Sequence, residues 1–272
     1  MTLSNELNQI LALTKRSFFS WKTYKMAIAT QLLSLAFGIL AWGIMALYRN
    51  RPVPEYNTDY ISFLITGIVI ANVVLPMSRS LESGASIFNP WMLESVLLTG
   101  IRTPVLIIGS VLWNLILSIL LFIPQLLIGV FVFNAKLDMN LISTMLSLFI
   151  SLIMVFSLSM VSVGMRIVTK SKDPISGAIG MASQLFAGML FPVQFLNELL
   201  PGLSFFAWFL PPTWIYHLIR SSMLSNASLL DPPFLFDFFI GAMFALLLLP
   251  LGLFIFRWGL RRAKKEGTLG WF

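Results

Sequence analysis

From Pro104 to Phe133 the chain carries no charged side chain. That stretch exceeds the roughly 20 residues needed to cross the hydrocarbon core of a bilayer. Such a run in water would leave more apolar surface than one helix can hide, so it fixes the solvent as lipid before any motif is considered. Other apolar runs of similar length follow, and the composition agrees. Of 272 residues, 58% are hydrophobic and only 11% charged, with a mean hydropathy of +0.88. The chain reads as an all-α integral membrane protein forming a single transmembrane domain over residues 1–272.

Six spans are expected, at about 26–48, 60–78, 104–133, 139–165, 174–193 and 234–256. The formal net charge of +7 does not point to nucleic acid, because the basic residues sit at the chain ends and in short loops between spans. Lys15, Arg16, Lys22 and Lys25 precede the first span. Arg166, Lys170 and Lys172 follow the fourth, and Arg257, Arg261, Arg262, Lys264 and Lys265 follow the sixth. The positive-inside rule then places both termini and the basic tail 257–272 in the cytoplasm of a plasma (inner) membrane. No short apolar run ends in a small-residue cleavage site, so no removed signal peptide is expected.

Residues 3–24 carry Leu3, Leu7, Ile10, Leu11, Thr14, Phe18 and Trp21 at helical spacing. The stripe is too short and too polar to span, and it suits a helix lying in the cytoplasmic interface. Arg49–Asp59 is charge-balanced and reads as an outside loop. Pro76 and Pro124 should kink or break the second and third spans. Asn72 and Gln184 are amides inside spans two and five. An intramembrane amide usually turns into a bundle, which also makes the pair candidates for lining a pathway. Ser151, Ser157, Ser159, Ser162 and Gly164 are small residues suited to close helix packing.

Two loops stand apart. Asn89-Pro90 caps a short helix over 91–98 with Glu94 in its early turns. That helix lies on the cytoplasmic side, where it offers a docking surface for a soluble partner or serves as a plain connector. The other is the passage 194–231 after the fifth span, interrupted by Pro201, Pro211 and Pro212 and read as broken, external, re-entrant helices. Irregular backbone near membrane depth is tolerated only against protein or water.

Catalytic chemistry is sparse. There is no cysteine, and His217 is the single histidine, so a thiol or paired-histidine zinc site cannot be built. His217 reads as an interfacial hydrogen-bonding residue rather than a base. Asp237, at the outer boundary of the last span, gives slight support to a gradient-driven secondary transporter, which would want deep ionisable pairs. No glycine-rich phosphate cradle is present.

The order of these features resembles the permease subunit of type-two ABC exporters, the family that handles daunorubicin-like drugs, polysaccharides, teichoic acids and nodulation lipo-oligosaccharides. The resemblance covers essentially the whole chain. Its most specific stretch is Phe186-Ala187-Gly188-Met189-Leu190-Phe191-Pro192-Val193, then Leu200-Pro201 and Leu210-Pro211-Pro212-Thr213-Trp214-Ile215-Tyr216, closed by Arg220. The resemblance implies an external gate or re-entrant motif carried by Gly188, Phe191, Pro192, Pro201, Pro211, Pro212, Tyr216 and Arg220. It implies coupling to the ATPase through Glu82, Gly84, Trp91, Leu93, Glu94, Leu97, Leu98 and Arg102. It also implies a second copy of the permease, two separate ATPase subunits that bind ATP and Mg, and no cofactor or catalytic residue on this chain. The cargo would be amphipathic, drug-like, lipid-like or a glycan, moved out of the cytoplasm.

Overall fold

The computed structural model describes residues 3–48, 52–84, 103–169, 181 and 185–266. Helix dominates. The elements in chain order are α1 (Leu3–Thr23), α2 (Lys25–Tyr48), a small hairpin of β1 (Pro52–Val53) and β2 (Thr58–Asp59), α3 (Tyr60–Gly84), α4 (Thr103–Phe133) and α5 (Leu141–Thr169). A 3-10 turn, Val193–Phe195, then leads into α6 (Leu196–Leu199), α7 (Leu203–Trp208), α8 (Pro211–Leu224) and α9 (Pro232–Lys265).

Four of these helices are long and apolar enough to cross a membrane: α2, α4, α5 and α9. This is a membrane protein by that measure. Large apolar side chains such as Phe37 on α2, Phe131 on α4, Phe149 on α5 and Leu246 on α9 face outward, as lipid-facing residues do. The expected second span corresponds to α3, whose apolar stretch Tyr60–Asn72 is shorter. The expected fifth span, 174–193, falls largely outside the described residues, as does the 91–98 helix.

Several boundaries move. α3 continues beyond 78, through Pro76, to Gly84. α4 runs unbroken through Pro124, and there the side chain of Gln125 donates to the Leu121 carbonyl at 2.8 Å. The basic residues from Arg257 to Lys265 extend α9 rather than forming a separate tail. Leu185 is helical, but 186–192 is not, so the expected helix does not reach 193.

Leu3–Thr23 forms α1, which lies against α4 through Phe18 and Trp21 on Trp113, with ring centroids 5.2 and 5.7 Å apart. Leu7, Leu11 and Phe19 stay exposed.

α5 and α9 make the longest helix pair, and small residues let their backbones touch. A Cβ added at Gly164 would stand 2.9 Å from the Ile255 carbonyl, and one at Gly252 would stand 2.6 Å from the Ser157 carbonyl oxygen. This bears out the small-residue face read from the fourth span. Gly252→Val should therefore force the helices apart and destabilise the protein by about 1–3 kcal/mol. Gly38→Ala, which meets nothing within 4 Å, should leave the detergent melting temperature unchanged or slightly raised. Equal melting of the two variants would refute the backbone contact.

Candidate functional site

The 194–231 passage is not a set of surface fragments. α8 is buried along almost all of its length and is wedged among α3, α5 and α9. Its sequence explains the entry. Pro211 and Pro212 fill the first helical positions, where a missing N–H costs nothing. The Thr213 hydroxyl donates to the Ala207 carbonyl at 2.6 Å, and the Trp214 indole donates to the Trp208 carbonyl at 2.9 Å. Those bonds hold the short α7 against α8. At the other end, the Ser222 carbonyl accepts from the Asn140 amide at 2.9 Å, and the Asn226 amide donates to the Asp138 carbonyl at 2.9 Å. The turn before α5 thereby closes the helix C-terminus, whose last carbonyls have no partner within the helix.

Arg220 sits in the middle of this arrangement and is 1% exposed. One guanidinium nitrogen donates to the Gly188 carbonyl, and the other donates to the Met189 and Phe63 carbonyls at 2.7 and 3.0 Å. The Phe63 ring lies 3.6 Å below the guanidinium carbon, a stacking contact worth ~2 kcal/mol when desolvated. Gly188 has φ +79°, a left-handed turn glycine enters without strain. That turn aims consecutive carbonyls inward. The next one, Leu190, accepts from the Tyr60 hydroxyl at 3.1 Å. Gly67 supplies the space, because a Cβ there would overlap the guanidinium and the Met189 carbonyl. Burial lowers the Arg220 pKa to about 10, so it stays charged at neutral pH.

Beside Arg220 lies a second polar group that sequence reading did not assemble. His217 Nδ1 is 3.3 Å from an Asp237 carboxylate oxygen, and His217 Nε2 is 3.7 Å from Glu55. Glu55 belongs to the 3-10 turn joining β1 to β2, and Asn57 closes that turn with φ +49°. Val53 and Tyr56 anchor the hairpin against Phe63 and Leu224. The three ionisable side chains are 10–19% exposed, and the Trp208 ring covers the imidazole at 5.1 Å. Burial raises the Glu55 pKa, whereas burial and the Arg220 charge lower that of His217 to about 4. The charge balance of 49–59 concealed Glu55, since no local pattern shows that its turn folds back onto α8.

Of the remaining expected site residues, Gly188, Pro212 and Tyr216 are buried, and Phe191 and Pro192 are half-buried beside the turn. Pro211 opens α8, and Pro201 lies exposed between α6 and α7. Asn72 donates to Gln125 on α4 at 2.7 Å, joining α3 to α4. Glu82 and Gly84 end α3. Trp91, Leu93, Glu94, Leu97, Leu98, Arg102 and Gln184 lie outside the described residues.

No protein-family model matches the chain, and no curated protein matches it.

Replacing Arg220 by Met should cost ~3 kcal/mol or more, because the inward carbonyls of Gly188 and Met189 lose a charged donor. Arg220→Lys should recover little, since an ammonium cannot reach three carbonyls in a planar fork. Thermal melting of each variant in detergent checks this, and wild-type melting of Arg220→Met would remove the role assigned to the clamp.

Proposed function

We propose that this chain is the membrane-spanning subunit of an ATP-driven exporter. In this reading it has six spans with both termini cytoplasmic in a plasma membrane. It pairs with a second copy and is driven by two separate ATPase subunits that carry ATP and Mg. The cargo is an amphipathic, drug-like, lipid-like or glycan molecule. The observation that carries the reading is the passage from Gly188 to Leu224. Helix gives way to a turn after Leu185, Arg220 gathers the carbonyls of Gly188 and Met189, and α8 packs among α3, α5 and α9 before α9 runs on. This fits the motif that resembles type-two ABC permeases. The amphipathic α1 lying along α4 supports it further, since an N-terminal interface helix belongs to the same resemblance.

In the proposed mechanism, nucleotide closure in the ATPases moves the 91–98 helix and α1. The movement passes through α3 and α4 to the outer side, where α8 and the hairpin meet. Coupling of this kind requires two global states with different contacts at both ends. A gradient-driven carrier is the second reading, and it gains one specific observation: Glu55, His217 and Asp237 form a buried ionisable cluster of the kind a carrier uses.

Co-expression with candidate ATPase subunits and purification in lipid discs separates the readings. Two copies of this chain should recover with two ATPases. Glu94→Lys should cut export by about tenfold or more while leaving recovered complex unchanged. A chain that recovers without any ATPase, and whose transport follows an imposed proton gradient, would replace the exporter with the carrier.

A further inference from the structure

Both ring nitrogens of His217 face an acid, and they do so from opposite edges of the imidazole. A neutral imidazole has one N–H donor and one lone pair. With both carboxylates ionised, the donor serves one acid, and the lone pair confronts an oxygen of the other. One added proton removes that conflict. On the ring it gives a second N–H. On either acid it gives an O–H aimed at the bare nitrogen. The hydrogen-bond inventory of the trio therefore closes with one proton more than its fully ionised form.

The charge count leads to the same number. Two carboxylates and one proton carry −1, and Arg220, three residues along the same helix face from His217, carries +1. The buried group is then neutral, as a site this poorly hydrated requires. Without the proton it is left at −1. Glu55 Oε2 is buried and has no hydrogen-bond partner among the described residues, and neither has His217 Nδ1. Both acid and ring thus keep buried hydrogen-bonding capacity that the ionised form leaves unused.

We infer that Glu55, His217 and Asp237 form one shared proton-binding site, which latches the 52–59 hairpin onto α8 and α9 while it is occupied. The acids belong to separate elements, so the imidazole's own N–H ties the ring to one and the added proton ties it to the other. The geometry suits a proton and not a metal ion, because the two acids flank the ring and do not converge on a common point. Tyr56 on the hairpin, Tyr60 on α3, and Tyr216 and Arg220 on α8 are the other titratable groups around the site; burial raises Tyr56 and Tyr216, and Arg220 stays charged. The Asp59–Lys136 pair at the hairpin's far strand is exposed and 3.2 Å long. The raised carboxyl of Glu55 and the lowered imidazole place the proton on an acid rather than on the ring. Release accordingly comes as pH rises through the raised carboxyl value, and the hairpin loosens on that side. This inference stands whether or not an ATPase docks on the chain.

The single histidine makes the test direct. Protein labelled with carbon-13 and nitrogen-15 histidine, held in lipid discs, gives one set of ring signals to follow from pH 4 to pH 9. In the wild type the ring should remain neutral over most of the range, and its bare nitrogen should shift once as the neighbouring acid ionises. Glu55→Gln and Asp237→Asn should each abolish that step or move it by about one pH unit or more. Because the chain has no cysteine, spin labels at Pro54→Cys and Leu230→Cys report the hairpin without background. Their separation should be narrow below the step and should lengthen or broaden above it. A ring titration unchanged by both acid substitutions would overturn the shared site. So would a wild-type ring shift unaccompanied by any pH-dependent change in label separation, a comparison that needs neither acid variant to fold.

Discussion

The structure depends on one buried guanidinium. Removing a charge from water costs several kcal/mol even after the surroundings relax, and among the described residues no carboxylate pairs directly with Arg220 to offset that cost. What it has is backbone. After Leu185 the backbone turns out of helix, and the carbonyls of Gly188 and Met189 point at the guanidinium. Each side solves the other's problem. Unpaired carbonyls at membrane depth would be as costly as the unpaired cation. The Phe63 carbonyl and ring complete the enclosure from α3, so three separated stretches of chain meet on one side chain.

This also explains why α8 lies in the bundle instead of on its surface. A helix of its composition, with Thr213, His217, Arg220 and Ser222 on it, has too many polar groups to be a span. It is buried because each of those groups finds a partner or another polar group: Thr213 on Ala207, Ser222 on Ile219, Arg220 on the turn and His217 between two acids. Polar residues act as glue between helices where lipid offers no competing hydrogen bonds.

The spans were legible because hydropathy and length are local properties. The apolar runs of α2, α4, α5 and α9 declare themselves in any window of the sequence, and so does the small-residue face around Gly164. Proline was a poorer guide, because α4 carries Pro124 without breaking. A helix packed among neighbours tolerates a proline inside it. The re-entrant passage was visible as an interruption, but its depth was not, since burial of α8 depends on Gly67 and Gly188, more than a hundred residues apart in sequence. Glu55 was the hardest residue to place. Its turn is charge-balanced and proline-flanked, which describes an exposed loop equally well. Only the docking of Val53 and Tyr56 against Phe63 and Leu224 turns it inward.

Arg220 and the acid–histidine trio are therefore best understood as one electrostatic unit. The guanidinium fixes where the turn and α3 meet α8, and it also sets the charge that its neighbours must balance. An ionised Glu55 and Asp237 together overshoot it by one, and a neutral His217 cannot make up the difference. A bundle that used Arg220 only as a structural pin would need one acid at most, or none, given how fully the carbonyls already serve it. The second acid has no such structural reason. It makes the charge of the unit depend on a proton, at the point where the hairpin, α8 and α9 meet.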